Sequence, residues 1–389
     1  MTPDPGPPGG QPTLGPLVGY FLGLGTWGFG GPAVLVERMR RDLLEARGWF
    51  TPAEYMEGLA LAQLAPGPLA AQLAIYLGWV RRGVLGATLV GVAFVTPSFV
   101  MVLGLSVAYV RYGGLSWMRG AFYGVGAAVI ALIAHSTWRL ARKTLGADRL
   151  LWAVMGANAL ATAWTEREIM TVFVASGLLV MLVRQPPPRW PRVAAGLALP
   201  PWWLTGLHGA ADVGTLGRLL LYFAEAGAVV FGSGLAIVPF LHGGVVRDMH
   251  WLTERQFLDA VAVSMITPGP VVITVSFIGY LVSGPLGAIA AALGVFLPAY
   301  LVIVLCARWF QRAVRNAGVR AAVDGVTAAA TGAIAGATLV LGRRAVVDVP
   351  TGLLFGLTLA ALIWVRRVPE PVLILGAAAV GLVLSDARP

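Results

Sequence analysis

QLAPGP at residues 63–68 and MITPGP at residues 265–270 each place a Pro-Gly-Pro triplet inside an apolar, uncharged stretch. Proline removes a backbone donor and glycine lacks a Cβ, so both triplets predict a sharp break in a helix. In hydrocarbon such a break exposes backbone groups that lipid cannot satisfy, unless protein or a water-filled cavity surrounds them. Two breaks therefore predict irregular backbone that lines a cavity.

The composition is typical of an all-α polytopic membrane protein. Of the 389 residues, 58% are hydrophobic and 12% are charged, and the mean hydropathy is +0.79. One soluble core could not bury this much apolar surface, so we expect the lipid bilayer to be the solvent. The net charge of +10 comes almost entirely from Arg in short clusters between apolar runs. That pattern indicates topology determinants and argues against a nucleic-acid partner.

Pro-rich segments divide the chain into two parts of similar size. Residues 1–13 lack the basic region of a signal peptide and predict a disordered tail. Residues 185–212 begin with a Pro-rich run and predict a linker. We therefore expect one transmembrane repeat at 14–184 and a second at 213–389.

The two parts are homologous halves. Rare residue types recur at one constant offset, which chance similarity between apolar runs does not explain. The matching residues, each 202 positions apart, are Phe29 and Phe231, Trp49 and Trp251, Thr51 and Thr253, and Pro66 and Pro268.

The helices that lead into the triplets are too short to cross a bilayer. Thr51 and Thr253 are each followed three residues later by Glu54 or Gln256, which predicts a capping box at the helix start. From there to the triplet is about 14 residues, roughly 21 Å, against a hydrocarbon layer about 30 Å thick. We expect a re-entrant helical hairpin, broken at Pro-Gly-Pro, in each half. The alternatives are a proline-kinked span or two tilted full spans.

Basic loops predict opposite orientations for the two halves. In the first half Arg and Lys concentrate in the loops at 81–82, 139–149 and 184–192. In the second half they concentrate on the alternate loops, at 308–320 and 366–367. By the positive-inside rule the halves are inverted-topology repeats, so the two breaks approach from opposite sides.

The breaks favour an anion as substrate. A half-helix that restarts after a triplet presents unpaired N–H groups and the positive end of its dipole, and nearby hydroxyl and amide side chains add neutral donors. Two helix ends contribute about 0.3–1 kcal/mol each, so a dianion also needs direct hydrogen bonds or a cation. The candidate substrate-binding residues are Gly30, Gly31, Pro32, Gln63, Pro66, Gly67, Pro68, Gln72, Gly232, Ser233, Thr267, Pro268, Gly269, Pro270 and Thr274. For the glycines, close helix packing is the alternative role.

Glu225 is a candidate for ion coupling. It lies in the apolar segment before Phe231, where the first half has Gly23, and an intramembrane carboxylate is a functional candidate by default. A paired structural role is the alternative. The four histidines show no metal-ligand spacing, and no nucleotide loop or nucleophile elbow is present, so we expect no metal, no cofactor and no enzyme activity.

Five segments are specific enough to indicate a family, and together they resemble the chromate transporter family in its long, two-domain form. The segments are FGGPAVLVERMRRDL (29–43), LALAQLAPGPLAAQLAIYLGWV (59–80), GATLVGVAFVTPSFVMVL (86–103), VVFGSGLAIVPFLHGGVV (229–246) and WLTERQFLDAVAVSMITPGPVVITVSFIGYLVSGPLGA (251–288). The resemblance implies a multi-pass protein of the bacterial inner membrane that exports chromate and confers resistance to it. It also implies that both Gly-Pro clusters in each half are functional.

Several alternatives stay open at this stage. Sulfate has the shape and charge of chromate, so the protein could be a carrier of sulfate or another oxyanion. An uncoupled anion channel would use the same helix dipoles without counter-transport. A membrane assembly protein without a substrate is a third class. The oligomeric state is open, with a homodimer as one alternative.

Overall fold

The computed structural model describes residues 13–29, 32–112, 116–165, 170–184, 213–229, 237–313, 317–365 and 370–386. These residues form helices joined by short turns, and no strand occurs among them. The expected linker at 185–212 and all of the expected tail except Thr13 lie outside the described residues.

The described helices follow the same order in both halves. In the first half they are α1 (Leu14–Trp27), α2 (Pro32–Arg40), α3 (Pro52–Leu64), α4 (Leu69–Tyr112), α5 (Ser116–Leu145), α6 (Arg149–Thr165) and α7 (Met170–Arg184). In the second half they are α8 (Val213–Val229), α9 (Ile237–Leu241), α10 (Glu254–Ile266), α11 (Thr274–Ala313), α12 (Ala317–Ala345), α13 (Val349–Trp364) and α14 (Glu370–Asp386). A π-helical turn follows α2 at Arg41–Ala46 and α9 at His242–Asp248, so even the irregular elements repeat.

Both predicted capping boxes are confirmed. The Glu54 N–H donates to the Thr51 hydroxyl at 3.2 Å, and the Thr51 N–H donates to the Glu54 carboxylate at 2.8 Å. Thr253 and Gln256 make the same pair of bonds at 3.3 and 2.9 Å. These bonds fix where α3 and α10 begin, and hence how far each helix reaches toward its triplet.

The helices stop at both triplets and resume directly after them. α3 ends at Leu64 and α4 begins at Leu69, while α10 ends at Ile266 and a 3₁₀ turn at Val271–Ile273 leads into α11. Gly67 and Gly269 have φ values of 137° and 99°, which side chains with a Cβ rarely adopt. The central glycine of each triplet is therefore required by the backbone.

A second reversal lies inside α4 and inside α11. Arg82 and Gly83 depart from helical geometry, and Gly83 has a φ of 57°. The helix folds back on itself there, and the two arms touch: a Cβ at Gly78 would lie 2.4 Å from the Gly86 carbonyl oxygen. Ser283 and Gly284 produce the same reversal in α11, where Gly279 meets Gly287. Each long helix is thus a short arm followed by a long one.

The two repeats interlock and do not pack as separate bodies. α13 and α14 pack on α5 of the first repeat, and α6 and α7 pack on α12 of the second. Arg184, at the end of α7, donates to Asp148 in its own repeat and to Asp324 of α12 at 2.6 Å. The Arg184 hydrogen bond lowers the pKa of the Asp148 carboxyl. Repeat boundaries in sequence therefore do not mark boundaries in space.

Four stretches of the described helices are long and apolar enough to cross a membrane, and they occur as two pairs of equivalents. They are Leu69–Tyr112, Gly120–Leu145, Val271–Leu305 and Arg320–Ala345. Large apolar side chains on their neighbours are exposed, among them Leu160 and Trp164 on α6. An all-α, multi-pass membrane protein is what this arrangement of apolar surface requires.

Candidate functional site

Both Pro-Gly-Pro triplets and the start of α2 meet at one cavity. The residues that line it are Pro32, Leu35, Pro68, Leu69, Ala70, Gly269, Pro270 and Val271. The cavity volume is about 10 Å³, roughly the room that a single water molecule needs. The two breaks are far apart in the sequence and belong to different repeats. They nevertheless lie side by side, with little space between them.

The α4 arm supplies backbone donors to this cavity. The N–H groups of its first three residues, Leu69, Ala70 and Ala71, have no carbonyl of a preceding helical turn to donate to. The Gln72 N–H is the first to find such a partner, the Pro68 carbonyl at 2.9 Å. The cavity wall at Leu69 and Ala70 is thus the positive end of a helical arm.

The second triplet is bonded to the first repeat. The Gly269 N–H donates to the Gly28 carbonyl, which follows α1, at 3.0 Å. The sequence predicted bare amides at the breaks, and this amide is occupied in the observed conformation. An anion would have to displace the Gly28 carbonyl to use it.

Each triplet glycine faces a residue of the other repeat. A Cβ at Gly67 would lie 2.7 Å from the Ala299 Cβ, and a Cβ at Gly269 would lie 1.9 Å from the Ser98 hydroxyl oxygen. Ser98 and Ala299 follow Pro97 and Pro298, so they occupy equivalent places in the two halves. Neither residue was predicted from the sequence, because only the packing across the repeats brings it to a break.

The predicted polar donors make hydrogen bonds near the breaks. The Gln72 side-chain amide donates to the Pro66 carbonyl at 2.6 Å, across the first break, while its buried oxygen Oε1 has no partner. The Thr274 hydroxyl donates to the Val271 carbonyl at 2.8 Å, and the Thr267 hydroxyl to the Ser264 carbonyl at 3.1 Å. These side chains hold the backbone of their own repeat in shape.

The remaining predicted residues either do not line the cavity or lie outside the described residues. Gln63 is exposed on α3 and does not line the cavity. Pro66 is partly exposed and Pro268 is buried. Gly30, Gly31, Gly232 and Ser233 lie outside the described residues.

Cationic side chains lie beside the site and do not line it. The Arg38 guanidinium donates to the carbonyl of Trp27 at 3.2 Å, one residue before Gly28. Arg40 pairs with Glu37 at 2.6 Å, and this hydrogen bond lowers the pKa of the Glu37 carboxyl. These exposed ion pairs agree with a solvated helix face.

Aligned carboxylates of the two repeats have different partners. Glu57 of α3 accepts a hydrogen bond from Tyr76 of its own repeat at 3.1 Å. Asp259 of α10 accepts one from Tyr109 of the opposite repeat at 2.7 Å, and Asp259 is only 4% exposed. α10 is thus tied to the first repeat at a buried carboxylate.

Glu225 lies half-buried on α8 and makes no hydrogen bond or ion pair with the described residues. Within the same residues, no group of three or more His, Cys, Asp or Glu side chains could hold a metal ion.

Comparison with known proteins identifies the family. A family model described as chromate transporter matches residues 16–187 and again 217–382. The chromate transport protein of Cupriavidus metallidurans is 56% identical over 374 residues, which cover 95% of this chain and 93% of that protein. The probable chromate transport protein of Synechococcus elongatus is 53% identical over 376 residues, 95% of each chain.

A more distant relative, the chromate transport protein of Pseudomonas aeruginosa, is 32% identical over 86% of this chain and 82% of its own length. No solved structure matches the chain. The double match of the family model coincides with the two repeats seen in the helix order. The chain therefore belongs to the chromate transporter family.

Proposed function

We propose that this protein is a secondary transporter that exports chromate from the cytoplasm across the bacterial inner membrane and so confers chromate resistance. The observation that carries the proposal is the single cavity shared by both Pro-Gly-Pro breaks. The names of the relatives supply the substrate, chromate. Sulfate is the second oxyanion that such a site would accept, because its shape and charge are the same.

Contacts between equivalent helices support an inverted arrangement of the repeats. The Tyr123 hydroxyl of α5 donates to Asp348, just after α12, at 2.6 Å. Further along, a Cβ at Gly342 of α12 would lie 3.5 Å from the Ile130 side chain of α5. Residue numbers rise along α5 while they fall along α12, so these equivalent helices run in opposite directions. Inverted repeats produce this relation.

The contacts between α3 and the short arm of α4 support a re-entrant hairpin. A Cβ at Gly58 would lie 2.3 Å from the Tyr76 ring, and Tyr76 also bonds Glu57. Contact far from the break means that the two arms run back along each other. Each arm has about 13 residues, roughly 20 Å, which is less than the hydrocarbon thickness.

Transport then requires the two breaks to separate. A cavity of about 10 Å³ cannot hold a tetrahedral oxyanion, so the described conformation is closed around the site. Opening on either side would release the bond between Gly269 and Gly28 and free an amide for the anion. Because the repeats face opposite ways in this proposal, the same motion in each exposes the site to alternate sides.

Glu225 is the proposed coupling residue. It lies in the apolar segment before Phe231, where the first half has Gly23, and it has no partner among the described residues. Protonation of a half-buried, unpaired carboxylate removes the cost of a charge at membrane depth. Proton movement through Glu225 would then accompany oxyanion export.

Everted membrane vesicles test the proposal. Export from the cell becomes uptake into the vesicle, so we expect chromate accumulation driven by a proton gradient or by sulfate loaded inside. Vesicles that lack the protein provide the baseline. Flux that follows voltage alone would indicate a channel, and stronger competition by sulfate than by chromate itself would indicate a sulfate carrier. The absence of chromate flux under both gradients would overturn the proposal.

A further inference from the structure

Ser98 has a buried hydroxyl without a partner. The residue lies on the long arm of α4, directly after Pro97, and is 0% exposed. Its Oγ makes no hydrogen bond within the part of the chain that the structure describes. A buried hydroxyl without a bond is unfavourable, so a native protein that keeps one calls for an explanation.

Other hydroxyls of the same arm are satisfied locally. Thr88, Thr96 and Ser106 each donate to the carbonyl four residues earlier, at 2.7 to 2.8 Å. Ser98 makes no such bond to Phe94, whose carbonyl faces Gly25 of α1 at close range. The helix therefore does not use the Ser98 hydroxyl for its own backbone.

The hydroxyl lies against the second break. It is so close to Gly269 that a Cβ there would come within 1.9 Å of it, and Gly269 belongs to the cavity wall with Pro270 and Val271. The Gly269 amide is the donor that the Gly28 carbonyl occupies in this conformation. When that bond opens, the Ser98 hydroxyl and the Gly269 amide become neighbouring free donors.

The equivalent residue in the second repeat is Ala299, which faces Gly67 with a methyl group. A serine needed only for packing against a triplet glycine would have no reason to differ from alanine, because alanine fills the same role at the other break. At this position the repeats differ by one hydroxyl group, which lies at the second break only.

We propose that Ser98 donates a hydrogen bond directly to an oxygen of the tetrahedral oxyanion bound between the breaks, and that it is a specificity-determining residue of the site. This inference rests on the proposed function. A neutral hydroxyl adds a donor without a titratable charge, which suits a site that must release its anion. It also supplies one of the direct hydrogen bonds that a bound dianion needs in addition to the two helix ends.

The test compares Ser98→Ala with Ser106→Ala, a buried serine of the same arm about two turns beyond Ser98, in everted vesicles. Ser98→Ala removes the hydroxyl without adding volume and makes the first repeat resemble the second. We expect its KM for chromate to rise about tenfold to a hundredfold, the effect of losing one hydrogen bond to a charged group. Ser106→Ala removes a hydroxyl that bonds the Val102 carbonyl of its own helix, so its KM should stay within threefold of the parent.

Thermal unfolding of the purified protein in detergent separates binding from structure. Without an anion, Ser98→Ala should melt at the same temperature as the parent or higher, because a buried unpaired hydroxyl is removed. Sulfate should raise the melting temperature of the parent, and the sulfate concentration needed should be at least tenfold higher for Ser98→Ala.

Two results would overturn the inference about Ser98. One is a KM for chromate, or a sulfate dependence of melting, that changes less than threefold in Ser98→Ala. The other is a lower melting temperature without anion, which would indicate a structural role. If parent vesicles take up no chromate but sulfate protection still depends on Ser98, the proposed function fails and the Ser98 site stands. Neither flux nor protection in the parent would overturn both.

Discussion

The two Pro-Gly-Pro breaks share one backbone frame and differ in the side chains that surround it. At the first break the Gln72 amide bridges to the Pro66 carbonyl, and Ala299 of the other repeat contributes only a methyl group. At the second, Thr274 bonds only its own turn, and Ser98 contributes a free hydroxyl. The symmetry of the repeats fixes where the breaks lie. The side chains that differ between the repeats decide which break has an unbonded side-chain hydroxyl.

Alanine at the triplet glycines should have the largest effect. Gly67→Ala and Gly269→Ala each force a side chain onto a positive φ and into a neighbour within 3 Å. We expect backbone strain of about 1–3 kcal/mol and overpacking of about 1–3 kcal/mol, with loss of chromate uptake. Melting temperature and vesicle uptake are the measurements.

Gly83 and Gly284 provide matched controls for the triplet glycines. Their φ values are 57° and 62°, yet nothing lies within 4 Å of an added Cβ. Alanine there should cost only the backbone strain of about 1–3 kcal/mol and leave uptake largely intact. Equal damage at all four glycines would mean that close contact between the repeats does not matter. Adding Ser98→Ala to Gly269→Ala should restore part of the lost melting temperature, because it removes the nearest atom, but not chromate uptake, because it also removes the proposed donor.

The next largest effect concerns Gln72 and Thr274, the equivalent side chains that bond the backbone at the two breaks. Gln72→Ala removes the donor of the Pro66 carbonyl and truncates a side chain that is 0% exposed, which should cost about 1–3 kcal/mol of stability. Thr274→Val, at the equivalent place, removes one bond to a nearby carbonyl and should cost about 0.5–1.5 kcal/mol. Thermal unfolding in detergent measures both. A larger loss for Thr274→Val would contradict the view that Gln72 holds the first break.

A third pair tests the carboxylates. Tyr109→Phe removes the hydroxyl partner of the buried Asp259 and should cost about 1–3 kcal/mol. Tyr76→Phe removes the partner of Glu57, which is exposed and can turn to solvent, so the cost should stay below about 1 kcal/mol. Equal melting temperatures for the two variants would show that the link between repeats at Asp259 is unimportant.

The capping boxes should show the smallest difference between repeats. Thr51→Ala and Thr253→Ala remove the same bond from the same kind of helix end, and each should cost about 1 kcal/mol. Serine at either position retains the hydroxyl and serves as the control. A cost that differs more than twofold between the two variants would mean that the repeats are not equivalent even at their helix starts.

Much of this organisation could be predicted from the sequence, because it depends on local rules. Thr51 followed by Glu54 and Thr253 followed by Gln256 fix helix starts through bonds within four residues. Pro-Gly-Pro ends a helix wherever it occurs. The repeat offset and the apolar composition then predict a two-repeat membrane protein, and the family match agrees.

The parts that depend on packing between distant segments could not be predicted. The arginines predicted a loop at 81–82, and the structure places a reversal at Arg82 and Gly83, but the close contact of Gly78 with Gly86 across it depends on packing. The bond from Gly269 to Gly28 joins residues far apart in the chain. From the sequence alone, Ser98 is one of many small residues on a membrane helix. Its contact with Gly269 of the other repeat distinguishes it.

The most direct test of a shared site is a disulfide between the two breaks. Leu69→Cys and Val271→Cys, introduced together with Cys306→Ser, place two thiols on the same cavity wall. We expect mild oxidation to link them within one chain and to stop chromate uptake into everted vesicles, and we expect reduction to restore uptake. A folded double variant whose thiols do not link, or a linked protein that transports chromate at the parent rate, would contradict it.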